Sequence, residues 1–230
     1  MDSDTCRLHD ALEATRLSFG LTRNEVSEVA RAAADSGIRG ICVPVPFLST
    51  ATAAFDAASW VRRRPDLVTV ANFPTGDHPL DIVLLQAAAA IRLGADHLDL
   101  VVPGDLVTER DWPGVTRFIR AVREYTEDSN GEPIAIKVIL ETAALDRERI
   151  RAVASAAIEA GANWLKTSTG FHPAGGATLH AVKLLRRIAP PEVGIKASGG
   201  IRTRELALAM LDAGADRIGT SAEKEILAAE

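Results

Sequence analysis

Cysteine is nearly missing: 230 residues hold two, Cys6 and Cys42, far apart and not in a CxxC pair. That scarcity excludes a disulfide-stapled secreted scaffold and predicts a reduced, intracellular compartment, with Cys42 in G-I-C-V-P a small core residue. Positive charge is not in excess either. The formal net charge is -5 and the pI is near 5.6, which argues against nucleic acid or an anionic membrane as the main partner. Long apolar runs are absent, since the most apolar stretch, "IVLLQAAAAIRLGA", is interrupted by Gln86 and Arg92 and is too short to span a bilayer. The acidic start "MDSDTCRLHD" has no apolar segment of the signal-peptide kind, so a cytoplasmic protein is expected. The five histidines, His9, His78, His97, His172 and His180, show no metal-ligand spacing, and no metal is expected.

What is abundant is apolar residues, 47% of the chain, enough for a core without staples. They are organised by a faint repeat. "SGIRGICVP", "LGADHLDLV", "AGANWLKTS" and "AGADRIGTS" each put a glycine after a helical stretch and then enter a short apolar run. The marker glycines are Gly37, Gly94, Gly161 and Gly214, spaced by about 50 to 70 residues, or two strand–helix units each. Filling in the units predicts strands near 6–11, 39–45, 67–72, 97–102, 133–140, 163–167, 193–197 and 216–220. Helices are predicted near 22–36, 49–63, 79–93, 112–127, 146–160, 177–188, 203–213 and 222–229. Thr22 with Glu25 forms a capping box, and Pro79 suits a helix's first turn. Strict alternation with apolar strands predicts an α/β fold, a parallel sheet closed into a (β/α)8 TIM barrel. No linker or low-complexity tract divides the chain, so residues 1–230 read as a single domain. Trp60, Trp112 and Trp164, at roughly regular spacing, read as helix–barrel packing.

Three lysines sit inside strands: Lys137 in "PIAIKVILE", Lys166 in "NWLKTSTG" and Lys196 in "EVGIKASGG". A strand lysine must reach water or lose hydration. In a barrel, Asp99, Lys137, Lys166 and Lys196 would converge from strands 4 to 7 if all point inward, giving three cations to one carboxylate. A lysine at its reference pKa of about 10.4 is only about 0.1% neutral near pH 7.5; a drop of about 3 units, about 4 kcal/mol, makes free amine abundant. Burial beside another ammonium supplies such a drop, and a neutral lysine can form a Schiff base with a carbonyl. Asp99 is the natural proton shuttle. The bland alternative for each lysine alone is a salt-bridge partner or a snorkelling side chain. The glycine- and hydroxyl-rich turns after strands 6, 7 and 8 predict a phosphate site lined by Gly170, Gly199, Gly200, Thr220 and Ser221.

These residues carry a family likeness. The segments "VANFPTGDHPLDIVLLQAAAAIRLGADHLDLVVP", "IAIKVILETAAL", "GANWLKTSTGF", "GIKASGGIRT" and "RIGTSA" resemble class I 2-deoxyribose-5-phosphate aldolases over most of residues 67 to 221. The resemblance implies Lys166 as the Schiff-base lysine, Lys196 as the lysine that depresses its pKa, and Asp99 as the proton relay. It also implies phosphate contacts at Gly170, Gly199, Gly200 and Ser221, no cofactor, a small phosphorylated sugar as substrate, and a homodimer. Lys137, Thr169 and Asp10 are further expected to contact the sugar.

Departures gather in the first quarter. Where the family has Asp-x-Thr on strand 1, "LHDALEAT" is read here as Asp10 with Leu12 at the threonine position. His9 and Asp10 are then either a substitute polar pair at the mouth or a solvated strand end. The strand 2 loop carries Pro44, Val45 and Pro46 in place of polar and cationic groups, Gln86 replaces a common glutamate, and no terminal tyrosine follows the eighth helix. Three alternatives stay open: a related lysine aldolase with another aldehyde, a non-catalytic phosphate-metabolite binder, and a phosphosugar isomerase, which would more naturally use Glu or His as base.

Overall fold

The computed structural model describes residues 2–127 and 133–228. In chain order the elements begin α1 (Ser3–Ala11), β1 (Leu12–Thr15), α2 (Arg23–Ser36), β2 (Gly40–Cys42), α3 (Leu48–Asp56), β3 (Asp66–Ala71), α4 (Leu80–Arg92) and β4 (His97–Val101). They continue α5 (Gly104–Glu109), α6 (Trp112–Glu127), β5 (Ala135–Ile139), α7 (Arg147–Glu159), β6 (Trp164–Lys166), α8 (Leu179–Ile188), β7 (Gly194–Ser198), α9 (Arg204–Asp212), β8 (Arg217–Thr220) and α10 (Glu223–Ala228). Each strand pairs in parallel with the next, and β8 returns to β1 to close the barrel. The repeat has its physical cause: Gly37, Gly94, Gly161 and Gly214 all take positive φ, which lets each helix end within a residue or two before the chain turns into a strand. The capping box at Thr22 and Glu25 forms in full.

Two-residue periodicity sorts the strand side chains. Leu12 and Ala14, Leu98 and Leu100, Ile136 and Val138, Leu165, and Ile195 and Ala197 join the apolar layer beneath the helices. Their alternates, Glu13, Asp99, Lys137, Lys166 and Lys196, therefore point into the barrel. Each large apolar side chain fully buried in that layer contributes about 1.5–3 kcal/mol relative to exposure. This outer layer carries the folding energy and leaves the interior free to hold charge.

The predicted first strand at 6–11 is wrong. That segment is α1, capped by Asp2, which accepts from the Thr5 N–H at 2.6 Å, and it buries Leu8 and Ala11 with helical spacing. The strand follows it at Leu12–Thr15, four residues too short to show a period of their own. The helix expected over 49–63 stops at Asp56, and α5 was not foreseen. Residue 229 of the last predicted helix lies outside the described residues. The tryptophans do not share one role. Trp60 is half-exposed, with its indole N–H donating to the Phe55 carbonyl, and Trp112 packs on the core. Trp164 lies under the Arg217 guanidinium, 5.0 Å from the ring centroid. Among the described residues no helix is long and apolar enough to cross a membrane.

Candidate active site

Five ionisable side chains from five strands meet inside the barrel, and four of them are fully buried: Glu13, Asp99, Lys137 and Lys196 are 0% exposed and Lys166 is 2%. Register explains the meeting, because Lys166 pairs with Lys196 across β6–β7 and Asp99 with Lys137 across β4–β5. Asp99 Oδ2 accepts from Lys166 Nζ and from Lys196 Nζ, both at 2.7 Å. Lys137 Nζ lies 3.3 Å from Asp99 Oδ1 and 3.4 Å from Glu13 Oε1. Lys196 Nζ also donates to Glu13 Oε2. Glycine at 219 makes room for this packing, since a Cβ there would stand 3.0 Å from Lys196 Cε.

The charge balance differs from the expected three cations to one carboxylate, because Glu13 supplies a second. Removing ions of this size from water costs several kcal/mol each, so the cluster persists only as a mutually paired unit. Its members are not equivalent. Burial depresses the Lys166 pKa, Asp99 opposes that effect, and the neighbouring Lys196 charge reinforces it; the net direction is down. Lys196 is held above its ordinary value, because Asp99 and Glu13 together outweigh its desolvation. Burial pushes both carboxyls up, but the lysines prevail: Glu13 falls to about 2 and Asp99 well below its ordinary value. Burial and the Asp99 charge push the Cys42 thiol up to about 11, which leaves it neutral. The result is that Lys196 holds its proton more firmly than usual beside Lys166, which gives up its proton more readily.

Carboxyls with depressed folded pKa values stabilise above their unfolded pKa and lose that contribution as pH falls through the folded one. Thermal melts across pH should therefore show stability falling from about pH 4.3, the unfolded glutamate value, toward the Glu13 value of about 2. Glu13→Gln should flatten part of that fall; an unchanged acid profile would contradict the assignment.

Above the cluster opens a cavity of about 340 Å³, whose lining includes Thr15, Arg16, Lys166, Gly170, Gly199, Gly200, Arg202 and Ser221. Lys166 is the one lysine on its wall. The loops after β6 and β7 interlock backbone to backbone: a Cβ on Gly176 would lie 2.2 Å from Gly199 O, and Ala177 N–H donates to that carbonyl at 3.0 Å. Gly170, Gly199 and Gly200 all have positive φ, with values of 84, 92 and 78°. A bulkier residue at Gly176 or Gly199 would force these two turns apart, whereas at Gly170 and Gly200 it is the left-handed backbone that favours glycine.

Not every predicted residue stands at this rim. Asp10 is misplaced: it lies on α1, at the N-terminal end of β1 and the far end of the barrel, where it pairs with Arg62 and Arg63 at 3.5 and 3.4 Å. Its side chain is 51% exposed, and exposed pairs of this kind contribute little. Asp10→Asn is expected to leave turnover unchanged and to alter stability by no more than about 0.5 kcal/mol in a denaturant titration. Lys137 is enclosed beneath the cavity, with Glu13 and Asp99. Thr220 lies on the cavity wall, but its hydroxyl is occupied, donating to Ile201 O at 2.6 Å and accepting from Ala222 N–H, so it ties the β8 end to the β7 loop. Thr169 lines the cavity, but its hydroxyl proton goes to Glu141.

The sequence reading missed Glu13 and Thr15. Once β1 is placed correctly, Glu13-Ala14-Thr15 supplies the acid-x-Thr pattern that had seemed lost, with Thr15 at the cavity. Gln86 keeps a structural post: its side-chain oxygen accepts from the Asn72 N–H at 2.8 Å, where φ is 54°. Pro44 and Val45 lead into a short 3-10 turn, Val45–Phe47, outside the cavity wall.

The chain as a whole is similar to known proteins. A family model described as DeoC/LacD family aldolase matches residues 1–225. A deoxyribose-phosphate aldolase of Kocuria rhizophila is 43% identical over 216 residues, 94% of this chain and 93% of the relative. One from Thermus thermophilus is 40% identical over 219 residues, 95% of this chain and 94% of the relative. Among solved structures, the deoxyribose phosphate aldolase of Aeropyrum pernix, described as a unique tetramer, superposes with a TM-score of 0.83 at 29% identity, covering 99% of this chain and 92% of that one. With a family match spanning nearly the whole chain and relatives of the same length and barrel, this protein belongs to the DeoC/LacD family of aldolases.

Proposed function

We propose that this protein is a class I aldolase that reversibly cleaves 2-deoxy-D-ribose 5-phosphate to acetaldehyde and D-glyceraldehyde 3-phosphate, with Lys166 forming the Schiff base. The observation that carries the residue assignment is that Lys166 alone of the three buried lysines lines the cavity, and its pKa is lowered while that of Lys196 is raised. The neutral Lys166 amine adds to C1 of the open-chain sugar, and loss of water leaves a cationic imine. Deprotonation of the C3 hydroxyl then breaks the C2–C3 bond, whose electron pair flows into the imine to give an enamine. Glyceraldehyde 3-phosphate departs, C2 takes a proton, and hydrolysis returns acetaldehyde and free Lys166.

In this reading Asp99 relays protons at Lys166, a role supported by its hydrogen bonds from both Lys166 and Lys196, and Lys196 holds the positive charge that keeps the amine free. The imine serves as the electron sink, so the steps balance without a cofactor. Backbone N–H groups of Gly170, Gly199, Gly200 and Ser221, with the Arg202 side chain on the same wall, would hold the phosphate at the opposite end of the substrate. Neither a binder nor an isomerase reading accounts for a lysine of lowered pKa at the base of such a cradle.

A coupled assay for glyceraldehyde 3-phosphate release tests the reading. Turnover of 2-deoxy-D-ribose 5-phosphate well above that of unphosphorylated deoxyribose is expected; strong preference for a longer ketose phosphate would overturn it. The same reading places one catalytic domain in the cytoplasm, consistent with two free cysteines, and assembles it as a homodimer. The exposed Ile82 and Leu85 on α4 support self-association, and a monomeric mass in light scattering would contradict it.

A further inference from the structure

Glu141, just past the end of β5, is held in the left-handed region at φ 46 and ψ 54°, where an L side chain is strained. Its Oε2 accepts two hydrogen bonds from one residue, Thr169 Oγ1 at 2.5 Å and Thr169 N at 3.2 Å. Thr169 Oγ1 in turn accepts from the Phe171 N–H at 3.1 Å. The other carboxylate oxygen, Oε1, is shielded and has no hydrogen-bond partner among the described residues. Backbone strain and a half-paired carboxylate are both unfavourable, so the β5 turn does not adopt this arrangement for its own stability. What it secures is the turn after β6.

That turn carries the chemistry. Lys166 ends β6, Gly170 stands on the phosphate rim with Phe171 directly after it, and Thr169 lies between Lys166 and Gly170. Thr169 and Phe171 also divide the catalytic cavity from a second one of about 370 Å³, lined in part by Pro74, Val101, Leu140, Glu141 and Arg149. Glu141 thus grips the partition from its far side without lining the catalytic cavity. By taking the Thr169 hydroxyl proton, it also leaves Thr169 Oγ1 able only to accept toward the substrate side.

We propose that Glu141 is a positioning residue for the aldolase reaction: its carboxylate fixes Thr169 and, through it, the path of the chain from Lys166 to the phosphate rim at Gly170 and Phe171. This inference rests on the function proposed above and extends it to a residue that does not touch the substrate. A loosened turn would displace Gly170 from the phosphate while Lys166, held by its strand and by Asp99, stays in place. The deficit should therefore fall on phosphorylated substrate, not on imine formation.

The test compares Glu141→Gly and Glu141→Gln with the unaltered enzyme. Glycine removes the carboxylate and relieves the left-handed backbone, so misfolding is not the expected outcome. For Glu141→Gly the KM for 2-deoxy-D-ribose 5-phosphate should rise about tenfold or more. Borohydride trapping of Lys166 with acetaldehyde should proceed as in the unaltered enzyme. Glu141→Gln retains an acceptor oxygen and should stay within about threefold in KM. Unchanged KM in Glu141→Gly, a glutamine variant no better than glycine, or a trapping loss equal to the KM effect would overturn the proposal. The unaltered enzyme is measured in the same series: if it does not cleave the substrate, the proposed function fails and this inference fails with it. If it does, a flat KM in Glu141→Gly rejects the positioning role alone.

Discussion

Lys166→Met is expected to abolish turnover, lowering kcat by about ten-thousand-fold or more, the scale of loss seen when a covalent nucleophile is removed. Methionine approximates the stem of lysine and keeps the apolar contacts of β6, while Asp99 retains Lys196 and Lys137 as partners. The barrel should fold, which circular dichroism checks. The size of the effect follows from the chemistry: without an imine the C2–C3 bond must break to an unstabilised carbanion, and neither remaining lysine lines the cavity to take over. Retention of more than about one per cent of kcat in a folded variant would mean that another group forms the imine, or that none is formed.

Lys196→Met has the second-largest expected effect and a different signature. Lys196 is a cation at every working pH, and its charge is one of the two influences that lower the Lys166 pKa. Without it, Asp99 is left to Lys166 and Lys137, and the Lys166 ammonium is favoured over the free amine. Turnover near neutrality should fall by about a hundredfold or more, the range typical of a lost proton-transfer or charge partner. The sign of the pH effect is fixed: the neutral amine is the reactive form, so the acid limb of the rate profile must move to higher pH. A loss of rate with an unmoved acid limb would show that Lys196 acts elsewhere than on Lys166. Glu13 lies on the other side of the same lysine, so Glu13→Gln should weaken the hold on Lys196 and affect the rate less.

The barrel was legible because its signals are repeated. Four glycines closing four helices, and apolar strands with lysines at matched depths, reinforce one another until only one topology fits. Lys166, Lys196 and Asp99 were legible for the same reason, each embedded in a run where an ion has no cheap place to be. Strand 1 was not. Leu8, Ala11 and Leu12 satisfy a short strand as readily as the end of a helix, and the four residues of β1 carry no period to arbitrate. That slip sent Asp10 to the mouth and hid Glu13, so the charge of the cluster was miscounted. Glu141 was invisible for another reason. Nothing in "ILETAAL" announces a left-handed backbone, which arises only when β5 and the β6 turn are brought side by side. The need of Gly176 to lie flat against Gly199 was not legible either, because it is a property of two loops, not of either sequence.

The central claim is that Lys166 is the imine-forming residue. The most direct measurement is peptide mapping of the intact protein after incubation with acetaldehyde and borohydride. A single N-ethyl-lysine at Lys166, absent when borohydride is omitted, is the result this account predicts. An adduct at Lys137 or Lys196, or none on a folded protein, would contradict it.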